Sequence, residues 1–244
     1  MGRWAVGDVH QRRRDAVTAQ VDHLVIAAST LDEGVAWCES TLGISPGPGG
    51  EHPLMGTHNR LLSIASPSYP GSYFEIIAIN TGAAYAHSVG SKRWFDLENE
   101  AVQLSLTRNG PQFIHFVARS GDVTACTQAL TRLGIDRGEL LTASRMTAQG
   151  LLSWKITVRP DGQRLFSGML PTLIEWGDVH PTQHMAPCGV TLQTLVASQS
   201  DAAALQSAFT AIDLQGVALA QGQPNLVATL QTPRGLVTLE SKGL

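Results

Sequence analysis

The sequence predicts an α+β protein in which βαβββ modules repeat and form a curved mixed sheet. Three observations lead to this prediction. A buried strand, a capped helix and several further strands follow one another near the N-terminus, and the same order returns from residue 112. It returns less completely after residue 188. The composition, with 43% hydrophobic and 15% charged residues, is that of an ordinary globular chain.

The first predicted module covers residues 21–80. Residues 21–27 are a short apolar, β-branched run, which is typical of a buried strand. Thr30 and Glu33 have the spacing of a capping box at the start of a helix. Gly43 ends that helix, because glycine takes a left-handed conformation at low cost. The strands expected after the following loop cover residues 59–64 and 72–79.

The second predicted module covers residues 112–187. It opens with a strand at 112–118, and Asp122 then caps a helix that Gly134 ends. Its later strands are expected at 153–158 and 172–176.

Residues 188–244 are predicted to form a degenerate third module, with Asp201 capping its helix. We expect this module to be structural, covering a sheet edge or mediating dimerisation. Residues 1–20 are interpreted as an N-terminal tail. Residues 81–111 fit no module and are interpreted as a connector, with some helix near residues 94–97.

Four polar side chains occupy matched positions in the first two modules. Aligning the modules places His23 on His115 and Glu75 on Glu175. If the modules share one curved sheet, these side chains meet on its concave face and form a mixed nitrogen and oxygen set that suits Zn²⁺, Ni²⁺, Mn²⁺ or Fe²⁺. The alternative is that each is an ordinary structural residue of a strand. In the third module Thr194 takes the histidine position and Glu240 takes the glutamate position.

The loop before the second strand supplies candidate substrate contacts. His52 and His58 lie in a glycine- and proline-rich stretch, and Asn59 and Arg60 follow directly. Arg60 suits an anionic group. Alternatively, the glycines only allow the loop to turn, with His58 and Asn59 bonded to its backbone. The aromatic candidates for stacking against a substrate are Trp154 and Trp176.

Composition argues against several other classes of protein. A net charge of −3 gives no electrostatic footprint for nucleic acid. No apolar run approaches the ~20 residues of a membrane helix, and the N-terminus has no secretory h-region. The cysteines, which are Cys38, Cys126 and Cys188, form no disulfide framework or C-x-x-C pair. We therefore expect a cytoplasmic protein with no nucleic-acid or membrane partner.

Residues 22–27, 49–62 and 73–79 together resemble the glyoxalase-like domain of the vicinal oxygen chelate superfamily. The resemblance covers residues 21–176 and implies the fold predicted above. In glyoxalase I, the metal ligands come from the opening and closing strands of each module. The matching positions in this chain are His23, Glu75, His115 and Glu175.

The resemblance implies a metal-dependent, glyoxalase-like enzyme of lyase or isomerase type, acting on a small substrate with vicinal oxygens through an enediolate. Glu175 or Glu75 would act as general base. An extradiol-dioxygenase-like enzyme would instead use iron with two histidines and one glutamate. A third alternative is a metal-free protein that sequesters an aromatic or cationic small molecule, with Trp154 and Trp176 stacking on it. A homodimer is expected.

Overall fold

A computed structural model describes residues 17–83, 92–147 and 150–244. Its strands and helices are β1 (Gln20–Ala27), α1 (Leu31–Leu42), β2 (Glu51–His52), β3 (Thr57–Ser63), β4 (Tyr73–Ile79), α2 (Glu100–Asn109), β5 (Gln112–Arg119), α3 (Val123–Thr131), β6 (Glu139–Thr147), β7 (Gly150–Val158), β8 (Thr172–Trp176), β9 (Thr191–Gln199), α4 (Ala202–Ala211), β10 (Ala218–Gln221), β11 (Asn225–Thr232) and β12 (Gly235–Glu240). Three short 3₁₀ helices cover Trp94–Asp96, Leu165–Gly168 and Pro181–His184.

The first two modules form one curved mixed sheet of eight strands, in the order β2-β3-β4-β1-β5-β8-β7-β6. In each half the closing strand, β4 or β8, lies parallel to the opening strand, β1 or β5. The halves join where β1 and β5 pair antiparallel. The predicted fold class is confirmed.

The predicted helix caps are present. The Thr30 side chain accepts a hydrogen bond from the Glu33 N–H at 3.2 Å, and Gly43 ends α1 with a φ of 77°. Asp122 accepts from the Ala125 N–H at 2.8 Å. None of the described helices is long and apolar enough to cross a membrane.

Three elements of the sheet and its connector escaped sequence prediction, one of them the two-residue strand β2. α2 lies inside the predicted connector and buries only Val102 and Leu106, so its apolar stripe is short. The sequence of β6, ELLTASRMT, does not alternate apolar and polar residues, so it lacks the pattern that marks a strand. The predicted tail at residues 1–20 lies mostly outside the described residues.

The third unit has the predicted order of elements but a different pairing. Its four strands follow the order β10-β9-β11-β12, so the opening strand lies between β10 and β11. β10 follows α4 directly and pairs parallel with β9, which leaves β12 at the edge. Glu240 therefore does not lie beside the opening strand as Glu75 does in the first half.

The two faces of the large sheet pack against different partners. Leu24, Phe74 and Phe116 face outwards and form one core with α1, α3 and the third unit. Val25 and Val117 face inwards and belong to a second cluster with Trp94 and its neighbours. Because the third unit covers the convex face of the sheet, a ligand can reach the sheet only from its concave face.

Candidate active site

A β-bulge in the opening strand creates the centre of the site. Val21 pairs with Ala118 and His23 pairs with Val117, so Asp22 is the extra, unpaired residue between them. A bulge redirects the side chains of a strand. As a result, the carboxylate and the neighbouring imidazole meet, with His23 Nδ1 2.8 Å from Asp22 Oδ2.

The Asp22 carboxylate is fully buried and surrounded by donors. His180 Nε2 lies 2.9 Å from Oδ1, and Trp176 Nε1 donates to the carboxylate at 3.3 Å. Arg119 Nη1 lies 3.6 Å from Oδ1. Burial by itself would raise the pKa of Asp22, but the hydrogen bonds from His180 and His23 hold it well below its usual range. Asp22 is therefore an anion at neutral pH.

Glu75 provides the second carboxylate. It lies opposite Val25 in the parallel pairing of β1 and β4, so it faces the concave side. His23 Nε2 lies 3.4 Å from Glu75 Oε2, and Asn59 Nδ2 donates to Oε1 at 2.7 Å. Burial would raise the pKa of Glu75, but the hydrogen bond and positive charge of His23 outweigh it and lower the pKa to about 2.

His23 is therefore held between two carboxylates. Burial would lower its pKa, but hydrogen bonds to Asp22 and Glu75 raise it from 6.5 to about 9. The Tyr73 ring stacks on the imidazole, with 4.6 Å between ring centroids. His23 is thus an imidazolium at neutral pH, fixed in orientation by the two carboxylates and the ring.

Asn59 connects this cluster to a neutral imidazole. Its Nδ2 lies 3.3 Å from His52 Nε2, and its Oδ1 accepts from the Gly50 N–H at 2.8 Å. Since the amide nitrogen is a donor, His52 Nε2 is the acceptor and Nδ1 carries the proton towards Thr57 Oγ1, 3.0 Å away. Burial is the main cause that lowers the pKa of His52 to about 4.

Two adjoining cavities lie over these residues. The larger has a volume of about 1150 Å³ and is lined mainly by apolar side chains, among them Leu54, Met55, Leu152 and Ile156. The smaller, of about 40 Å³, is lined by His23, Tyr73, Glu75 and Trp176 together with residues of the large cavity. The residues shared by both walls include His52, Trp94, Arg145 and Trp154. We call the two spaces the large cavity and the small chamber.

His115 is separate from this cluster. Its ring is fully buried in the second half, where Nδ1 donates to the Gly168 carbonyl at 2.8 Å. Nε2 accepts from the Thr172 N–H at 3.2 Å and lies 3.1 Å from its hydroxyl. Burial, together with nearby arginine charges, keeps the pKa of His115 well below its usual range. Both nitrogens are engaged, so no lone pair is left for a metal.

Glu175 lies on the opposite face of the sheet, and the prediction that it joins the other three side chains is wrong. Its carboxylate accepts from Lys155 Nζ at 2.6 Å and from the Val123 N–H at 3.1 Å, at the start of α3. The register explains the difference. Thr172 pairs with Val117 as Glu75 pairs with Val25, so Thr172 is the structural counterpart of Glu75.

The predicted substrate contacts divide into two groups. His52, Trp154 and Trp176 line the cavities, and Asn59 lines the small chamber. His58 and Arg60 alternate with Asn59 along β3 and line neither cavity, because successive side chains of a strand point to opposite faces. Their prediction as substrate contacts is therefore not supported by the geometry.

Sequence reasoning missed four residues of the site: Asp22, Tyr73, Arg145 and His180. Asp22 carried a usable signal, since an aspartate inside a buried apolar strand must find partners. The spacing of His180 and His184 would suit a metal only on a helix, and Pro181 disfavours a helix there, so sequence reasoning did not place His180 in the site. In the structure it has an extended backbone before a 3₁₀ helix, which directs it to Asp22.

The described residues do not fit the predicted four-ligand metal site. Within 17–83, 92–147 and 150–244, no group of three or more His, Cys, Asp and Glu side chains is arranged to hold a metal ion. His115 has no free nitrogen, Glu175 faces away, and both nitrogens of His23 face carboxylates. The two-histidine iron site of a dioxygenase-like enzyme lacks His115 for the same reason.

Comparisons with known proteins agree with the fold. A search of curated protein sequences gives no match. Among solved structures, a hypothetical protein from Staphylococcus aureus superposes with a TM-score of 0.57 at 13% identity, covering 84% of this chain and 87% of that one. A methylmalonyl-CoA epimerase in complex with methylmalonyl-CoA and NH4+ gives 0.38 at 17% identity, over 65% and 93% of the two chains. The methylmalonyl-CoA epimerase from Mycobacterium tuberculosis gives 0.35 at 16% identity, over 64% and 85%.

The family model described as "Glyoxalase-like domain" matches residues 21–212. This range contains the whole eight-stranded sheet except the first residue of β1, and both cavities. The resemblance drawn from the sequence to the vicinal oxygen chelate superfamily is confirmed. Because the match covers most of the chain, this protein belongs to the glyoxalase-like domain family.

Proposed function

We propose that this protein is an isomerase- or lyase-type enzyme that moves a proton on a small substrate with vicinal oxygens. The observation that carries the proposal is the contact of 3.4 Å between His23 Nε2 and Glu75 Oε2 in the small chamber. Burying such a pair is costly for folding, and charged groups with strongly shifted pKa values cluster at functional sites.

The roles of the two residues follow from their charges. The ionised carboxylate of Glu75 takes the proton from a carbon next to a carbonyl group. The electron pair of that C–H bond forms a carbon–carbon double bond, and the π pair of the carbonyl group moves to the carbonyl oxygen. The nearby positive charge of the His23 imidazolium stabilises the negative charge that develops there. Return of the proton to the neighbouring carbon, together with transfer of the hydroxyl proton to the former carbonyl oxygen, completes an isomerisation.

The surrounding residues keep this pair in place. Asp22 holds His23 protonated through the 2.8 Å contact with Nδ1. Asn59 fixes Glu75 through its 2.7 Å hydrogen bond and also contacts His52. This places Asn59 as a positioning residue, since its amide has partners in Glu75, His52 and Gly50.

Deuterium exchange tests the proposal. A panel of α-hydroxyketones and 2-hydroxyaldehydes is incubated with the protein in D₂O, and loss of the α-proton is followed by NMR. We expect Glu75→Gln to slow exchange by about 10²-fold or more. Glu175→Gln makes the same chemical change on the opposite face and should stay within about 2-fold. Equal rates for wild type and Glu75→Gln would contradict the role of Glu75.

Metal content tests the metal-dependent version of this function. Elemental mass spectrometry is applied to protein purified without a histidine tag or chelator, beside His23→Ala. From the ligand geometry we expect well under one equivalent of divalent metal, with no change in the variant. About one equivalent that is lost in His23→Ala would show that His23 ligates a metal after all.

A second candidate function is metal-free sequestration of a small molecule. The observation in its favour is the large apolar cavity, with Trp94 and Trp154 in its wall. Tight binding without turnover would support it, particularly if Trp154→Ala abolishes binding and Glu75→Gln does not. Positive charge at Arg145, in the same wall, favours an anionic aromatic ligand over a cationic one.

A further inference from the structure

Arg145 lies at the boundary between the two cavities, and two of its three guanidinium nitrogens lack a hydrogen-bond partner among the described residues. It lies on β6, and its Nε and Nη1 atoms are buried with no hydrogen-bond partner in the described part of the chain. It lines both the large cavity and the small chamber. Burying N–H donors without a hydrogen-bond partner is costly, so an arrangement of this kind points to a ligand that completes it.

Two acidic side chains line the cavities together with Arg145. Glu75 is bonded to Asn59 and faces His23. Glu51 lines the large cavity, but it is exposed to solvent. Neither forms an ion pair with Arg145 among the described residues. The positive charge at the boundary is therefore available to an anion that enters through the large cavity.

The absence of a side chain at Gly50 leaves room for this guanidinium. A Cβ atom built at position 50 would overlap the end of the Arg145 side chain. The Gly50 N–H is held by the Asn59 side chain, which also bonds Glu75. Arg145 is thus packed directly against the loop that organises the proposed general base.

We propose that Arg145 binds the carboxylate of an amphipathic organic acid. A guanidinium pairs with a carboxylate through two parallel hydrogen bonds, which fixes orientation as well as position. The apolar body of the acid then occupies the large cavity, and its reacting carbon faces the small chamber. The placement of the reacting carbon rests on the proposed function, whereas the binding of the anion does not.

The size of the large cavity supports a substrate with a bulky apolar group. At about 1150 Å³ it exceeds the ~300–1,000 Å³ that is usual for ligand sites. A three-carbon oxoaldehyde would fill a small part of it. The apolar wall matches a hydrocarbon or aromatic body, and the charge is concentrated at the inner boundary with Arg145.

Calorimetric titration with octanoate, octanol and octylammonium tests the proposal. We expect octanoate to bind at least about 10-fold more tightly than octanol, and octylammonium to bind more weakly than octanol. Arg145→Gln should remove the preference for octanoate and leave octanol binding unchanged, and Arg145→Lys should restore part of the preference. Arg60→Gln, which removes an arginine on the outer face, is the matched control and should behave as wild type.

A second variant tests the position of the guanidinium without removing it. Gly50→Ala displaces the end of Arg145, so it should weaken octanoate binding several-fold while circular dichroism stays unchanged. Equal affinities for octanoate and octanol in the wild type, or no octanoate binding at 10 mM, would overturn the proposal. So would an equal loss of both ligands in Arg145→Gln.

The experiments distinguish failure of the anion site from failure of the proton-transfer function. Glu75→Gln should retain the octanoate preference, because Glu75 does not pair with Arg145. If exchange in D₂O depends on Glu75 but octanoate is not preferred, the anion site is wrong and the proton-transfer function stands. If octanoate is preferred through Arg145 but no compound exchanges, the anion site stands and the proton-transfer function is wrong.

Discussion

At the scale of single residues, His23 is the side chain on which the site depends. It is a buried imidazolium whose two nitrogens face Asp22 and Glu75. Each of these carboxylates is stabilised by the positive charge of the imidazole, and its own pKa is lowered in consequence. The three groups therefore titrate as one unit, and removing any of them changes the charge of the other two.

The raised pKa of His23 predicts a loss of stability at alkaline pH. An unfolded imidazole has a pKa of 6.5, whereas the folded one has a pKa of about 9. The stabilisation is therefore fully present below pH 6.5 and is lost as the pH rises through 9. Its size is on the order of 3 kcal/mol. Urea unfolding at pH 6 and pH 9.5 should show this loss in the wild type and a much smaller one in His23→Gln.

The Asp22 carboxylate is expected to control the protonation of His23. Asp22→Asn keeps the shape of the side chain but removes its charge, so the pKa of His23 should fall by about one unit or more. Histidine ring signals followed by NMR over pH 5–10 measure this directly. Asp32→Asn, on the exposed first turn of α1, is the control and should leave the titration unchanged. An unmoved His23 titration in Asp22→Asn would contradict the role assigned to the bulge.

At the scale of elements, the close packing of α1 on the sheet depends on a glycine. Gly34 is buried at the fourth position of this helix, where alanine would normally be the better helix former by about 1 kcal/mol. A Cβ atom at this position would overlap the Ile76 side chain on β4.

Gly34→Ala should therefore destabilise the protein despite the gain in helix propensity. We expect a net loss of about 1–3 kcal/mol, because overpacking forces the helix away from the sheet. Denaturant unfolding measures the change, with Glu39→Ala on the exposed face of α1 as a control that should stay within about 0.5 kcal/mol. A stabilised Gly34→Ala variant would show that α1 has room to adjust.

At the scale of the whole molecule, the third unit completes the core of the large sheet. Leu192, Leu205 and Leu230 are fully buried in the same cluster as Leu24 and Phe116 of the central strands. Tyr69, on the link between β3 and β4, donates to the Gly216 carbonyl and accepts from the Leu195 N–H. Without these residues, the eight-stranded sheet would expose the part of its convex face that α1 and α3 do not cover.

The shared core predicts that a change in the third unit destabilises the distant sheet. All five tryptophans precede residue 188, so their fluorescence reports on the rest of the chain. Leu230→Ala should lower stability by about 2–5 kcal/mol and shift the unfolding midpoints of fluorescence and circular dichroism together. Leu236→Ala, at a position that is 70% exposed, is the control. A fluorescence midpoint that stays in place would show that the third unit unfolds alone.

The local elements of this protein are determined by the sequence itself. Short-range patterns predict the strands β1, β4 and β5, the caps at Thr30 and Asp122, and the glycine at the end of α1. Hydrophobic runs and capping hydrogen bonds involve only neighbouring residues, so they can be recognised in the sequence. The choice of His23 and Glu75 as candidate site residues and the family resemblance likewise follow from the sequence.

The composition of the site was decided by the tertiary structure. Glu175 lies within a correctly predicted strand, yet the register of β8 against β5 turns it to the outer face. The bulge at Asp22 brings His180 to the opening strand, and β6 brings Arg145 to the cavities from the far edge of the sheet. Strand register, bulges and long-range pairing depend on residues far apart in the chain, so no local pattern specifies which side chains finally share a face.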